Sequence, residues 1–331
     1  MEKRLLKYID LASERLGGKV IYTTDDFFAE KENLIKEGRG IFIEDKYTDH
    51  GKWMDGWESR RKRTPGHDWA VLQLGAQGKI KGFDIDTNHF LGNHPPFASI
   101  EAINTSEDID WSKADELDWD EILIKSPLNP GSQHFFEVDS DKVYTHVRLH
   151  IYPDGGVARL RVYGEVVKDW SQIDTNQTID LALANNCGKA LECNDMFFSA
   201  MDNLIAPSTG KNMGDGWETK RNRTPNNEDW VILRLGHLGH LNKIIVDTKH
   251  FKGNYPDSCA IDYFKASDNK AVINENTQWE PLLKNKKLSA DKEHHFEQNT
   301  IENHSAASHI RLKIYPDGGI SRLRILGTLI K

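Results

Sequence analysis

THVRLHIYPDGGVARLR, residues 145–161, returns as SHIRLKIYPDGGISRLR, residues 308–324. In the first stretch Val147, Leu149 and Ile151 alternate with His146, Arg148 and His150. In the second, Ile310, Leu312 and Ile314 alternate with His309, Arg311 and Lys313. A period of two means a strand with one face in a core and one face wet. Pro-Asp-Gly-Gly then turns the chain, because proline presets φ and glycine supplies φ > 0. RLRVYG and RLRILG resume the alternation, so each stretch is a β-hairpin and the chain contains it twice.

The duplication extends outward from the hairpins. MDGWESRRKRTP at 54–65 answers to GDGWETKRNRTP at 214–225, and DIDTNHFLGNHP at 84–95 answers to IVDTKHFKGNYP at 245–256. Leu11 matches Leu181 at a separation of 170 residues and Asp55 matches Asp215 at 160, so one insertion of 10 residues lies between. It falls in Glu37–Lys52, where length changes belong in a surface loop. Residues 1–168 form the first repeat, 169–176 a polar linker and 177–331 the second, each long enough to bury its own core. Short strands and turns dominate. Helical pattern is confined to DLASERLGG and DLALANNCGK at the head of each copy. The fold class is all-β, two tandem β-sandwiches with short helical additions.

Composition removes several function classes. The net charge of -8 argues against a nucleic-acid partner. No apolar run approaches membrane-spanning length, and the amino-terminal MEKRLLKYIDLASERLGG has no secretory core. Cys187, Cys193 and Cys259 all lie in the second copy without CxxC spacing, which favours a reducing cytoplasm. There is no GxSxG, P-loop or GxGxxG fingerprint.

DGWE-x-[RK]-R-x-RTP, DW-x-[LI]-[QR]-LG, D-T-x-HF-x-GN-x-P and IYPDGG-x-x-RLR stand in both halves, with FF-x-x-x-x-NLI at 27–35 and 197–205. Together they closely resemble the allantoicase family over nearly the whole chain. The resemblance implies a tandem of jelly-roll domains similar to galactose-binding modules. It also implies an allantoate amidinohydrolase of purine (allantoin) degradation, which cleaves a C–N bond to give ureidoglycolate and urea. A homo-oligomer follows from the same resemblance. No cofactor motif is present, but the resemblance allows a divalent cation, manganese.

Allantoate carries one carboxylate and two ureido groups on a single carbon. Its site needs guanidinium donors, partners for the urea edges and a group that manages a proton. The duplicated residues include all of these. Asp86, His89 and Glu58, with Asp247, His250 and Glu218, are the catalytic expectations. Arg61, Arg63, Arg148, Asp154, Arg159 and Arg161, with Arg221, Arg223, Arg311, Asp317, Arg322 and Arg324, are the substrate-binding expectations. As metal ligands Asp86 and His89 are two at most, so Glu58 or Glu137 would have to join them. Without a nucleophile constellation, water attacks directly or an acid expels urea, with no covalent intermediate.

Plainer roles compete. Asp before Gly-Gly is ordinary turn chemistry, and Glu58 beside arginines fits an internal ion pair. A non-catalytic tandem carbohydrate- or ligand-binding module is the alternative function, with Trp111, Trp119 and Trp170 as a stacking platform. Departures between copies, such as Lys62 against Asn222, Gln73 against Arg234, His94 against Tyr255 and Phe135 against His295, suggest that two sites would not be equivalent.

Overall fold

The computed structural model describes residues 2–273 and 276–330, which divide into two compact units, Met1–Lys168 and Asp169–Lys331. Each unit is a jelly-roll β-sandwich built on the same plan.

Among the described residues of repeat one, a single turn of helix, α1 (Glu2–Leu5), precedes twelve strands. They are β1 (Ile9–Asp10), β2 (Lys19–Thr23), β3 (Tyr47–Thr48), β4 (Gly51–Lys52), β5 (Trp57–Glu58), β6 (Asp68–Asp86), β7 (Phe97–Ile103), β8 (Asp120–Pro127), β9 (Gln133–Glu137), β10 (Tyr144–Tyr152), β11 (Gly156–Val157) and β12 (Arg159–Val166). Strand β6, 19 residues long, serves two half-sheets. Its first part pairs with β2 and β10, and the ladder continues through β7 to β8. Its second part pairs with β12 and β9, and β12 carries β1. Ala70, Leu72, Phe83, Ile85, Val147, Leu149, Leu160 and Val162, all 0% exposed, fill the core. Their burial is the main stabilising term.

Repeat two reproduces this with β13 (Ile179–Asp180), β14 (Lys189–Cys193), β15 (Trp217–Glu218), β16 (Asp229–Asp247), β17 (Ser258–Phe264), β18 (Glu280–Lys287), β19 (Glu293–Glu297), β20 (Ala307–Tyr315), β21 (Gly319–Ile320) and β22 (Arg322–Leu329). Strand β16 is its shared long strand. The helical heads reduce to one 3-10 turn each, Glu14–Leu16 and Ala184–Asn186, because the next residues, Gly17 and Cys187, take left-handed backbone and end the turn.

The Pro-Asp-Gly-Gly turn has a packing reason in both repeats. Gly155 and Gly318 sit at φ +137° and +135°. A Cβ on Gly156 would meet the Phe90 ring at 2.0 Å, and one on Gly319 would meet Phe251 at 1.9 Å. The doubled glycine therefore seats the phenylalanine of the DTxHF segment. The aspartate locks the turn from the other side: Asp154 accepts from the Lys62 N–H and Asp317 from the Asn222 N–H, both at 2.8 Å. No described helix is long and apolar enough to cross a membrane.

Candidate functional site

Side chains alternate along a strand, so Phe83 and Ile85 enter the core of repeat one while Asp84 and Asp86 face outward. The register of β12, β6 and β9 sets the outward side chains in three rows: Arg159, Asp86 and Gln133; then Arg161, Asp84 and Phe135; then Tyr163, Gly82 and Glu137. Over them lies a cleft of about 450 Å³ whose lining includes Asp10, Arg15, Glu37, Arg39, Asp84, Asp86, Gln133, Arg161 and Tyr163.

A strap of chain, residues 35–41, forms its rim. Arg161 donates to the carbonyls of Ile35, Lys36 and Gly38. Asn88 Nδ2 and His89 Nε2 both donate to the Gly40 carbonyl, at 2.8 and 3.1 Å. Asp55 accepts from Ile41 N–H at 2.9 Å and is itself held by buried Arg159 at 2.8 Å. Burial works against the Asp55 carboxylate, yet Arg159 and the Ile41 amide keep its pKa below the usual range. From this rim Arg39 reaches back to Asp86, Nε to Oδ2 at 2.8 Å and Nη2 to Oδ1 at 3.0 Å, with its side chain still 49% exposed.

Asp84 differs from its neighbours. Its Oδ2 accepts from Gln133 Nε2 at 2.6 Å, but its buried Oδ1 has no hydrogen-bond partner among the described residues. Burial first, and then the adjacent Asp86, push its pKa up to about 6 despite the Gln133 bond. A carboxyl in that range can hold a proton and release it near neutral pH.

Repeat two keeps the scaffold and loses the cleft's chemistry. Its rows are Arg322, Asp247 and Glu293; Arg324, Ile245 and His295; Leu326, Lys243 and Glu297. Arg322 pairs with Asp215 at 3.0 Å, Arg324 donates to the Ala206 and Ser208 carbonyls, and His250 Nε2 donates to the Gly210 carbonyl at 2.7 Å. However, Thr209 stands in place of Arg39, Ile245 in place of Asp84 and Leu326 in place of Tyr163.

The remaining expected residues are not gathered here. Glu58 and His89 line a separate cleft of about 360 Å³, partly walled by His50 and Lys52 of the insertion. There Asn93 donates to Glu58 at 2.6 Å, and burial raises the Glu58 pKa. Asn254 donates to Glu218 in the same way. The expected hairpin does not form: β10 pairs with β6 and β7, and β12 with β6 and β1, so Arg148, expected beside Arg159 and Arg161, lies in the other half-sheet, opposite Val71. It binds Glu101 and Asp115, both at 2.6 Å, so its charge is spent internally; Arg311 likewise binds Asp262 at 2.7 Å. Arg61, Arg63, Arg221 and Arg223 are exposed and make no hydrogen bond or ion pair among the described residues. Asp154 and Asp317 are the turn locks described above. The tryptophan platform is not free either: half-buried Trp119 donates to the Ala114 carbonyl at 2.8 Å beneath the Arg148 guanidinium, and half-buried Trp111 packs on His146.

The sequence model of the allantoicase repeat matches residues 9–167 and 179–330. The chain belongs to the allantoicase family. It is 49% identical to a probable allantoicase of Photobacterium profundum over 99% of both chains, and 49% identical to one of Stutzerimonas stutzeri over 98% of this chain and 97% of that one. Among solved structures, the allantoicase of Saccharomyces cerevisiae superposes with a TM-score of 0.81 at 37% identity, covering 97% of this chain and 93% of that one.

Manganese, which resemblance to the allantoicase family allows, does not fit the donors. No group of three His, Cys, Asp or Glu residues among those described is placed to hold an ion. Within the cleft, both Asp86 oxygens face Arg39 and one Asp84 oxygen is taken by Gln133, while guanidinium groups supply the positive charge. Arg39, Asp84, Gln133 and Tyr163 escape a search for duplicated residues because none of them is duplicated. The signal that finds them is the reverse one, a polar residue in one copy facing an unlike residue in the other.

Proposed function

We propose that the first repeat carries the site at which this chain performs the allantoicase reaction, hydrolysis of allantoate to ureidoglycolate and urea in purine degradation. The observation that carries the assignment is Asp84: a buried carboxyl with one unsatisfied oxygen, lining a guanidinium-bearing cleft, at a position where repeat two has Ile245.

Arg39, half exposed at the rim, receives the substrate carboxylate as a charge-assisted partner. Gln133 offers an amide to a ureido edge. Asp84 manages the proton. In its acid form it protonates the departing ureido nitrogen while that carbon–nitrogen bond breaks with its electron pair going to nitrogen. The lone pair of the remaining ureido nitrogen fills the vacancy at carbon. Water then adds to that carbon and gives its proton to the Asp84 carboxylate, restoring the acid. One water is consumed, one urea leaves and no protein atom becomes bonded to substrate. No step passes through a metal.

The reading extends to a cytoplasmic homo-oligomer. Support for assembly comes from exposed apolar side chains on the insertion, Ile41, Phe42, Ile43 and Tyr47, and from Phe197 and Phe198 in repeat two.

Urea release from allantoate by the full chain tests the assignment. Asp84→Asn is expected to lower kcat at least 100-fold, the usual scale of a lost acid–base group, and Asp247→Asn to leave it within threefold. Normal turnover by Asp84→Asn would sink it.

A further inference from the structure

We propose that the Tyr163 hydroxyl donates a hydrogen bond to the carbonyl oxygen of the ureido group that leaves. The inference rests on the placement of the reaction in the repeat-one cleft.

Tyr163 is 9% exposed, lines the cleft and has no hydrogen bond from its hydroxyl among the described residues. Its ring is packed away while its oxygen, absent from the fully enclosed unpartnered atoms, stays accessible, so the O–H is free to donate to a molecule in the cleft that Tyr163 lines. Its place in the rows says to which group. Arg39 meets the sheet at the Asp86 row, Asp84 stands in the next, and Tyr163 belongs to the row beyond. Rows two residues apart along a strand are separated by about 7 Å. A substrate with its carboxylate at Arg39 and its scissile nitrogen at Asp84 points its ureido carbonyl on toward Tyr163. Only two atoms separate the carboxylate carbon from that carbonyl carbon, so the molecule spans the rows with the help of the long Arg39 and Tyr163 side chains.

The chemistry favours a donor there. As the carbon–nitrogen bond breaks, the electron pair arriving on nitrogen spreads into its own carbonyl, and charge grows on that oxygen. A neutral O–H aimed at the oxygen stabilises the transition state more than the ground state. Burial, reinforced by Asp10 and Asp84 nearby, drives the phenol's pKa upward, so the group stays protonated and able to donate. Repeat two has Leu326 at this position, and Ile245 beside it, so donor and acid are lost together.

The test is Tyr163→Phe in the full chain, measured beside Asp84→Asn for kcat, KM, inhibition by urea and melting temperature. Loss of one such donor is expected to lower kcat about 100-fold, change the allantoate KM less than threefold and weaken inhibition by urea. The inflection of the pH profile near Asp84's range should persist. Normal kcat in Tyr163→Phe together with an inactive Asp84→Asn overturns the tyrosine's role and spares the cleft. Normal kcat in Asp84→Asn overturns the cleft itself. A raised KM at unchanged kcat makes Tyr163 a ground-state contact and overturns the proposal. So does a melting temperature lowered by more than about 5 °C, since that would reveal an internal partner for the hydroxyl.

Discussion

Arg39 and Asp86 form a two-pronged ion pair, at 2.8 and 3.0 Å, that joins the rim of one cleft to the end of the strand beneath it. Repeat two has the aspartate, Asp247, but Thr209 stands where Arg39 does, and burial raises the Asp247 pKa. The same scaffold position is thus neutralised in one repeat and left without its guanidinium in the other.

Replacing Arg39 removes both the partner of Asp86 and the anchor for the substrate carboxylate. A charge-assisted bond contributes about 1.5–3 kcal/mol, so Arg39→Ala is expected to raise KM for allantoate about 10- to 100-fold. Steady-state kinetics checks it, with Thr209→Ala as the matched control, expected to be silent.

Asp84 makes stability depend on pH in an uncommon direction. Its folded pKa, about 6, lies above the ordinary 3.8, so folding favours the protonated form. Its contribution is fully present below about pH 4 and is lost as pH rises through 6. Asp84→Asn, which cannot ionise, is therefore expected to be more stable than the parent at pH 8 by up to about 3 kcal/mol, the gain vanishing near pH 4. Guanidinium unfolding at the two pH values measures it; an equal gain at both would refute the assignment of the shift.

The buried pairs Asp55–Arg159 and Asp215–Arg322 are equivalent in the two repeats, at 2.8 and 3.0 Å. Removing one partner strands a buried charge, at about 3–5 kcal/mol. Asp55→Ala and Asp215→Ala should destabilise their repeats by similar amounts in guanidinium unfolding. Of the two, Asp55→Ala should also slow turnover, because it unfastens the rim at Ile41.

His89 and His250 take left-handed backbone, φ 68° and 72°, and each donates from Nε2 to a rim carbonyl. Asparagine tolerates that backbone. His89→Asn should lower kcat/KM less than tenfold, and His250→Asn should leave it unchanged. A loss beyond 100-fold in either would restore histidine to the proton chemistry.

The sandwich fold was legible in the sequence because period-two alternation and the Pro-Asp-Gly-Gly turns follow directly from backbone geometry. The cleft was only half legible. Asp86, Arg159 and Arg161 stand out by their duplication, yet that property belongs first to folding: Arg159 holds Asp55, Arg161 holds the rim, and their counterparts do the same work in repeat two. Arg148 was expected beside Arg159 and Arg161 because only the Pro-Asp-Gly-Gly turn separates their strands in sequence, yet β10 and β12 bind different parts of β6 and not each other. Asp84 was hidden in plain text as the first letter of DIDTNHF against IVDTKHF, and only tertiary burial raises its pKa.

The rim strap is fastened by its backbone at Ile35, Lys36, Gly38, Gly40 and Ile41. A segment anchored so densely cannot act as a hinged door. Traffic through the cleft then falls to side chains, of which Arg39, half exposed, stands at the rim. Exposed side chains change rotamer in nanoseconds or less, so the rim can admit a molecule without movement of its backbone.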